Sequence, residues 1–202
     1  MKLGILGGTF DPIHMAHRAI AEEAMARLKL DEVVFIPAGE PWMKAGSIMA
    51  SRLHRTNMVR VATEKNPAFW VSDLEIARSG PSFTVDTLER LRDAYGRCVD
   101  MFFIVGMDAY SGFNRWKKPD RILELANLAV VSRSDSCYRQ KLPSVTRTTK
   151  NEGGIVVLTG IDLPISSSDI RRRVAAGLPI RDLVCDEVAD YIFKHGLYKA
   201  WT

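Results

Sequence analysis

Cysteine is scarce: the 202-residue chain has three, at positions 98, 137 and 185, and no C-x-x-C pair. An odd, widely spaced set excludes a disulfide framework and a zinc knuckle, and fits reduced thiols in a cytoplasm. Long apolar runs are missing as well. The run Leu3–Gly8, with one Lys before it, is too short for a secretory segment. No stretch approaches the ~18 apolar residues of a membrane span. Neither sign of charge dominates, since 28 Lys and Arg stand against 24 Asp and Glu. The resulting net charge of +4 is too small to argue for nucleic acid, though it suits small anionic ligands. There is no repeat of fixed period and no low-complexity tract. The G-x-x-x-x-G-K-[ST] phosphate loop and the G-x-G-x-x-G dinucleotide fingerprint are both absent.

What is present is an alternation of two kinds of segment. Short runs rich in Ile, Val and Phe recur at Lys2–Gly7, Glu32–Pro37, Met101–Gly106, Leu128–Ser132 and Ile155–Thr159, with a shorter candidate at Trp70–Ser72. Stretches of helical period lie between and after them, at Ile13–Leu28, Ser51–Lys65, Thr84–Tyr95, Asp120–Leu125 and Ser167–Ala176. Strands that are apolar throughout are buried on both faces. In β-α-β-α order they predict an α/β fold, a doubly wound parallel sheet with helices on both faces. Residues 1–202 read as a single domain, with 176–202 a helical extension packed on it. Within that extension, Asp186–His195 places Val188, Tyr191 and Ile192 on one face and ends in a basic turn before Gly196. Asp135–Gly153 is polar, lacks a period and reads as a loop. From Arg115 to Lys150 there are nine Lys or Arg against three Asp or Glu, either a solvated basic surface or the border of a phosphate site. No apolar stripe is left over to assign to an oligomer interface.

The turn after the first strand reads Gly7-Gly8-Thr9-Phe10-Asp11-Pro12-Ile13-His14-Met15-Ala16-His17. Two glycines let the backbone turn sharply and approach a ligand without a Cβ in the way. Asp11-Pro12 places a capping residue before one suited to a first helical turn. His14 and His17, three apart, share a helix face that looks onto the crevice at the carboxyl ends of the strands. Exposed N–H groups at a helix start favour an anion. A metal pair and a pair of satisfied structural histidines are the competing readings of the two imidazoles. Late in the chain, Ile165-Ser166-Ser167-Ser168-Asp169-Ile170-Arg171 has capping-box spacing. Its hydroxyls, helix-start N–H groups and the forked guanidinium of Arg171 make an anion cradle or, more simply, a capped helix with solvent arginines.

These two turns together resemble the nucleotidyltransferases with the H-x-G-H signature, and the resemblance spans nearly the whole chain. Further residues are similar to the bacterial nicotinate-nucleotide adenylyltransferase family. They are Lys44 after Pro37 and Pro41; Glu75, Arg78, Gly80, Ser82, Phe83, Thr84, Thr87 and Leu88 in the family's E-x-x-R-x-G-x-S-[YF]-T-x-x-T-L stretch; Val105-Gly106-Met107-Asp108; Trp116; and Gly196-Leu197-Tyr198. Ala16 stands where the signature usually has Gly, Ser168 where Thr is common, and Cys185 where Pro is common.

The resemblance implies a Rossmann-like fold and transfer of AMP from ATP to nicotinate mononucleotide in NAD biosynthesis. It implies that His14, His17 and Arg171 are catalytic, with Mg2+ entering on ATP. ATP is expected at Gly7, Gly8, Thr9, Phe10, Lys44, Gly106, Asp108, Ile165 and Ser167, and the mononucleotide at Phe83, Thr84 and Trp116. An indole can stack on a pyridinium ring, and the helix start near Thr84 offers N–H groups to a carboxylate. Rival readings are a pantetheine-phosphate adenylyltransferase, a cytidylyltransferase, and a non-catalytic nucleotide-binding regulator.

Overall fold

The computed structural model describes residues 1–41, 49–132, 154–160 and 163–199; Lys44 and the 135–153 segment lie outside the described residues. Six strands, β1 (Lys2–Gly8), β2 (Glu32–Pro37), β3 (Phe69–Val71), β4 (Asp100–Gly106), β5 (Asn127–Ser132) and β6 (Ile155–Thr159), form one sheet in the order β3-β2-β1-β4-β5-β6. The chain winds outward from β1 in one direction and then from β4 in the other, the doubly wound order of a Rossmann-like fold. Parallel registers run from Lys2↔Asp100 to Leu6↔Ile104, from Phe102↔Asn127 to Gly106↔Val131, and from Leu128↔Ile155 to Ser132↔Thr159. Leu3, Ile5, Val33, Val34, Ile104, Leu128, Ala129 and Val130 are all fully buried, which explains the unbroken apolar strands. The winding reverses between β1, which ends in Gly7 and Gly8, and β4, which ends in Gly106. Ligands of such sheets bind at the carboxyl ends beside that reversal.

The helices are α1 (Met15–Leu28), α2 (Arg52–Thr63), α3 (Thr84–Tyr95), α4 (Met107–Tyr110), α5 (Pro119–Leu125), α6 (Ser167–Ala175) and α7 (Asp186–Lys194) among the described residues. The strands and the five longer helices after α1 fall where the pattern predicts, to within two residues at each boundary. α4 and a 3-10 turn at Phe113–Arg115 carry too few residues to show a period. α1 starts at Met15 rather than Ile13, because the first-turn capping group is not the one expected. The side chain of His17, not Asp11, turns back on this end: its Nδ1 accepts the His14 N–H at 3.3 Å.

Two compact units can be distinguished by their internal contacts. The first comprises Met1–Gly7, Ile20–Val34 and the described part of Phe83–Asp162. α3 packs there on α5, burying Val85, Leu88, Leu91, Ile122 and Leu125. Arg92 ties this packing together by donating to the carbonyls of Gly96 (3.0 Å), Val99 (2.7 Å) and Leu125 (2.5 Å).

The second unit comprises Gly8–Ala19, Phe35–Ser82 and the described part of Leu163–Thr202. α2 is capped by Ser51, whose hydroxyl accepts the His54 N–H, and it packs on β3 and α7. α7 buries Val188, Ala189 and Ile192, then ends as predicted at a glycine, Gly196, with φ +61°. The Leu197 N–H reaches back to the Ile192 carbonyl at 3.0 Å, and this turn aims Tyr198 into the core, where it is 5% exposed. Its hydroxyl donates to Asp11 Oδ1 at 2.8 Å. Burial, and after it the adjacent Asp11 carboxylate, raise this phenol far above its ordinary value.

A raised folded pKa means that the unfolded chain releases this proton near pH 10 while the folded chain keeps it. The stabilisation is therefore complete below about pH 10 and falls by about 1.4 kcal/mol per pH unit above it. Tyr198→Phe lacks that slope. In urea melts the stability gap between wild type and this variant is expected to narrow as the pH rises past about 10; a gap independent of pH would show the phenol titrating normally.

Candidate functional site

The second unit builds a cluster on the turn that follows β1. A Cβ on Gly8 would sit 2.8 Å from the Phe10 ring, so this glycine is required by packing. Phe10 itself adopts φ +50° and is 2% exposed. Its ring meets His17 edge-on at 5.0 Å, and His14 and His17 stack at 3.7 Å with 23° between their planes. Because His17 Nδ1 accepts from the His14 backbone, the proton of the neutral His17 ring lies on Nε2, which leaves that atom as its donor. His14 is 7% exposed and His17 half-buried, so the pair stands at the edge of the core. Ala16, the departure from the usual glycine, buries its methyl at 6% exposure.

Four carbonyls of this turn are occupied. Gly8 accepts from the Ala38 N–H (2.9 Å), Thr9 from Arg55 Nη1 (2.6 Å), Asp11 from Arg171 Nη1 (2.8 Å) and Pro12 from the Ser167 hydroxyl (2.9 Å). In a planar trans peptide unit the N–H points opposite to the carbonyl before it. Holding those carbonyls therefore turns the N–H groups of Thr9, Phe10 and Ile13 away from these donors, the arrangement an anion-binding turn needs.

Asp11, expected to cap α1, instead buries its carboxylate at 3% exposure. Oδ2 accepts the Met49 N–H at 2.9 Å; Oδ1 accepts the Ala50 N–H at 3.1 Å and the Tyr198 hydroxyl. Arg171 Nη1 stands 3.7 Å from Oδ2, and Arg171 Nη2 donates to the Ser168 hydroxyl at 3.3 Å. Ser166 caps α6 by accepting the Asp169 N–H at 3.1 Å, as its spacing predicts, while the Asp169 carboxylate pairs with Arg172 and Arg173. Ile165 is half-buried just ahead of that cap.

Arg55 is the cation that sequence reasoning missed. It is 1% exposed and its second Nη donates to the Gly39 carbonyl at 3.1 Å. Burial pushes its guanidinium below the ordinary arginine value, and Asp11 is the foremost charge opposing that shift. The signal was available: Arg55 shares the apolar face of α2 with Met58, Val59 and Ala62, an odd place for an unpaired charge.

The first unit carries the remaining predicted residues. A Cβ on Gly7 would touch the Phe103 ring at 3.4 Å, whereas one on Gly106 would meet nothing within 4 Å. No neighbouring atom thus requires a glycine at 106, and the bare backbone there is open to a ligand. Asp108 is exposed in α4. Phe83 precedes α3 without a side-chain cap, Thr84 opens that helix, and Lys117 lies 4.5 Å over the Phe83 ring while bonding Asp86 at 3.0 Å. Trp116 packs against Phe103 (6.0 Å) and Phe113 (5.5 Å), and its buried indole N–H has no acceptor among the described residues.

Residues 5–173 match the family model of cytidylyltransferase-like proteins. Over 198 residues the chain is 46% identical to a protein of Roseiflexus sp. (strain RS-1) named "Probable nicotinate-nucleotide adenylyltransferase", with 98% of each covered. A protein of the same name from Syntrophotalea carbinolica is 43% identical over 221 residues, 99% of this chain and 98% of the other. Among solved structures, Plasmodium falciparum nicotinic acid mononucleotide adenylyltransferase complexed with NaAD shares the fold at a TM-score of 0.77 and 21% identity, over 98% of this chain and 97% of that one. With full-length identity of this degree and a matching model over most of its residues, the chain belongs to the cytidylyltransferase-like proteins and, within them, to the nicotinate-nucleotide adenylyltransferase family.

Proposed function

We propose that the chain transfers the adenylyl group of ATP to nicotinate mononucleotide, giving deamido-NAD and pyrophosphate. The observation that carries this reading is the cluster on the first turn, where Arg171, Ser167 and the stacked His14–His17 pair stand at a turn with four of its carbonyls occupied. Such a cluster is made for a polyphosphate.

In the transfer, an oxygen of the mononucleotide phosphate attacks the α-phosphorus of ATP. The bond from that phosphorus to the bridging oxygen of the β-phosphate breaks, and pyrophosphate leaves with the bonding electrons. The attacking phosphate is already anionic near neutral pH, so no side chain has to remove a proton first. What the protein supplies is position and charge stabilisation. We assign His17 Nε2–H and His14 to the developing charge, and Arg171, Ser167 and Lys44 to the phosphates. Gly7, Gly8, Thr9 and Phe10 bring backbone to ATP, with Gly106, Asp108 and Ile165 on its nucleoside. Phe83, Thr84 and Trp116 take the pyridine nucleotide.

A metal ion fits this arrangement only as a passenger. Asp11 has its carboxylate filled by protein donors, and no group of three or more His, Cys, Asp or Glu is placed to hold a metal among the described residues. Mg2+ would arrive on the triphosphate, held by phosphate oxygens and water, and would neutralise charge on the departing pyrophosphate. No helix among the described residues is long and apolar enough to cross a membrane, and Cys98 and Cys185 are unpaired. We place the work of the chain in a reducing cytoplasm.

The deciding assay follows pyrophosphate release with ATP and, in competition, nicotinate and nicotinamide mononucleotides. Preferential conversion of the nicotinate form is expected; release only with pantetheine phosphate or from CTP would replace the substrate assignment. His17→Ala is expected to keep the fold and lower kcat by on the order of 10²–10³, the loss of one preorganised donor. Near wild-type turnover would remove His17 from that role. Trp116→Ala should mainly raise KM for the mononucleotide, and an unchanged KM would place the pyridine ring elsewhere.

A further inference from the structure

Arg171 has a choice of partner inside the protein. Its Nη1 now donates to the neutral carbonyl of Asp11 at 2.8 Å, while the charged Oδ2 of the same residue lies only 3.7 Å away. A bidentate pair with that carboxylate is the stronger alternative for a guanidinium in a dry site. It would draw the side chain inward, away from any phosphate. What weakens the alternative is the number of donors already on the carboxylate: the amides of Met49 and Ala50 and the hydroxyl of Tyr198. The two amides belong to the backbone. The hydroxyl is the one side-chain donor to either oxygen at hydrogen-bonding distance among the described residues.

Its delivery is unusual. Tyr198 sits at φ +62°, a left-handed conformation that a bulky residue adopts only where its surroundings enforce it. Gly196 at φ +61° and the Leu197-to-Ile192 hydrogen bond supply that enforcement. The phenol is buried against Asp11, and Arg171 and Arg55 both act on it electrostatically. Phe would fill the same volume, so packing alone does not call for the hydroxyl.

We propose that Tyr198 is a positioning residue for adenylyl transfer: by occupying Oδ1 of Asp11 it keeps Arg171 bonded to the Asp11 carbonyl, with the rest of its guanidinium presented to the phosphates. This rests on the transfer reaction proposed above and assigns it a residue that touches neither substrate. Two of the five N–H groups of Arg171 are held by the described residues, at Asp11 and Ser168, and the others are the ones at stake.

The test is a double-mutant cycle of Tyr198→Phe and Arg171→Lys, read as kcat and KM from pyrophosphate release, with urea melts confirming that each protein is folded at the assay temperature. Tyr198→Phe is expected to lower kcat about tenfold, with KM for the mononucleotide within about twofold. The double variant is expected to be no slower than Arg171→Lys alone, the signature of two residues acting as one. A kcat within twofold of wild type, losses that multiply, or a loss confined to KM would each overturn the proposal. Should the phenylalanine protein not fold, Asp11→Asn takes its place in the cycle: coupled losses with Arg171→Lys support the proposal, and multiplying losses overturn it. Wild-type turnover alone decides the transfer reaction, and the ratios decide the role of Tyr198, so the two can fail separately.

Discussion

The carboxylate of Asp11 is the point from which the second unit is organised. It is a buried charge, and a buried charge persists only where donors surround it. Here the donors come from three stretches distant in sequence: the amides of Met49 and Ala50, the hydroxyl of Tyr198, and the nearby guanidinium of Arg171. Each of these attachments also fixes something else. The amides fix the backbone just ahead of α2, the phenol fixes the tail that follows α7, and Arg171 fixes the start of α6. Removing the carboxylate would release the chain ahead of α2 and the tail after α7 together, while Arg171 would keep its bond to the Asp11 carbonyl.

Around that anchor the cations serve the backbone more than they serve one another. Arg55 is nearly inaccessible, yet among the described residues its hydrogen bonds go to the carbonyls of Thr9 and Gly39 and not to a carboxylate. Arg92 in the other unit behaves in the same way, with three carbonyls and no acid in hydrogen-bonding contact among the described residues. A guanidinium suits this work, because its rigid fork reaches several acceptors at once and keeps its charge when buried. In the first turn the result is a run of peptides whose polarity is set by side chains from elsewhere. The orientation of the turn's N–H groups is thus a property of Arg55, Arg171 and Ser167 as much as of the glycines.

The strands were legible because burial on both faces leaves uninterrupted apolar runs, and β2 and β6 end where their runs end. The late turn was legible because Ser166 and Asp169 carry a capping pattern with a local cause. Asp11 misled because Asp-Pro before a helix is also the pattern of a cap; only contacts with residues 49, 50 and 198 distinguish the two roles, and spacing holds no trace of them. The short elements at Met107–Tyr110 and Phe113–Arg115 span about one turn each, below the length at which periodicity speaks. Tyr198 was visible as part of a Gly-Leu-Tyr match, but its target lies 187 residues away. The two histidines were paired correctly, while the tautomer of His17 follows from a backbone bond that only coordinates reveal.

That separation bears on how the molecule is made. Ribosomes extend chains from the amino end, so the Gly-Gly-Thr-Phe-Asp turn emerges well before the tyrosine that pins it, 187 residues further on. While the intervening residues are being added, the carboxylate lacks one of its partners. A nonsense codon just before Tyr198 would therefore leave its lesion 187 residues upstream, in the loop that follows the first strand.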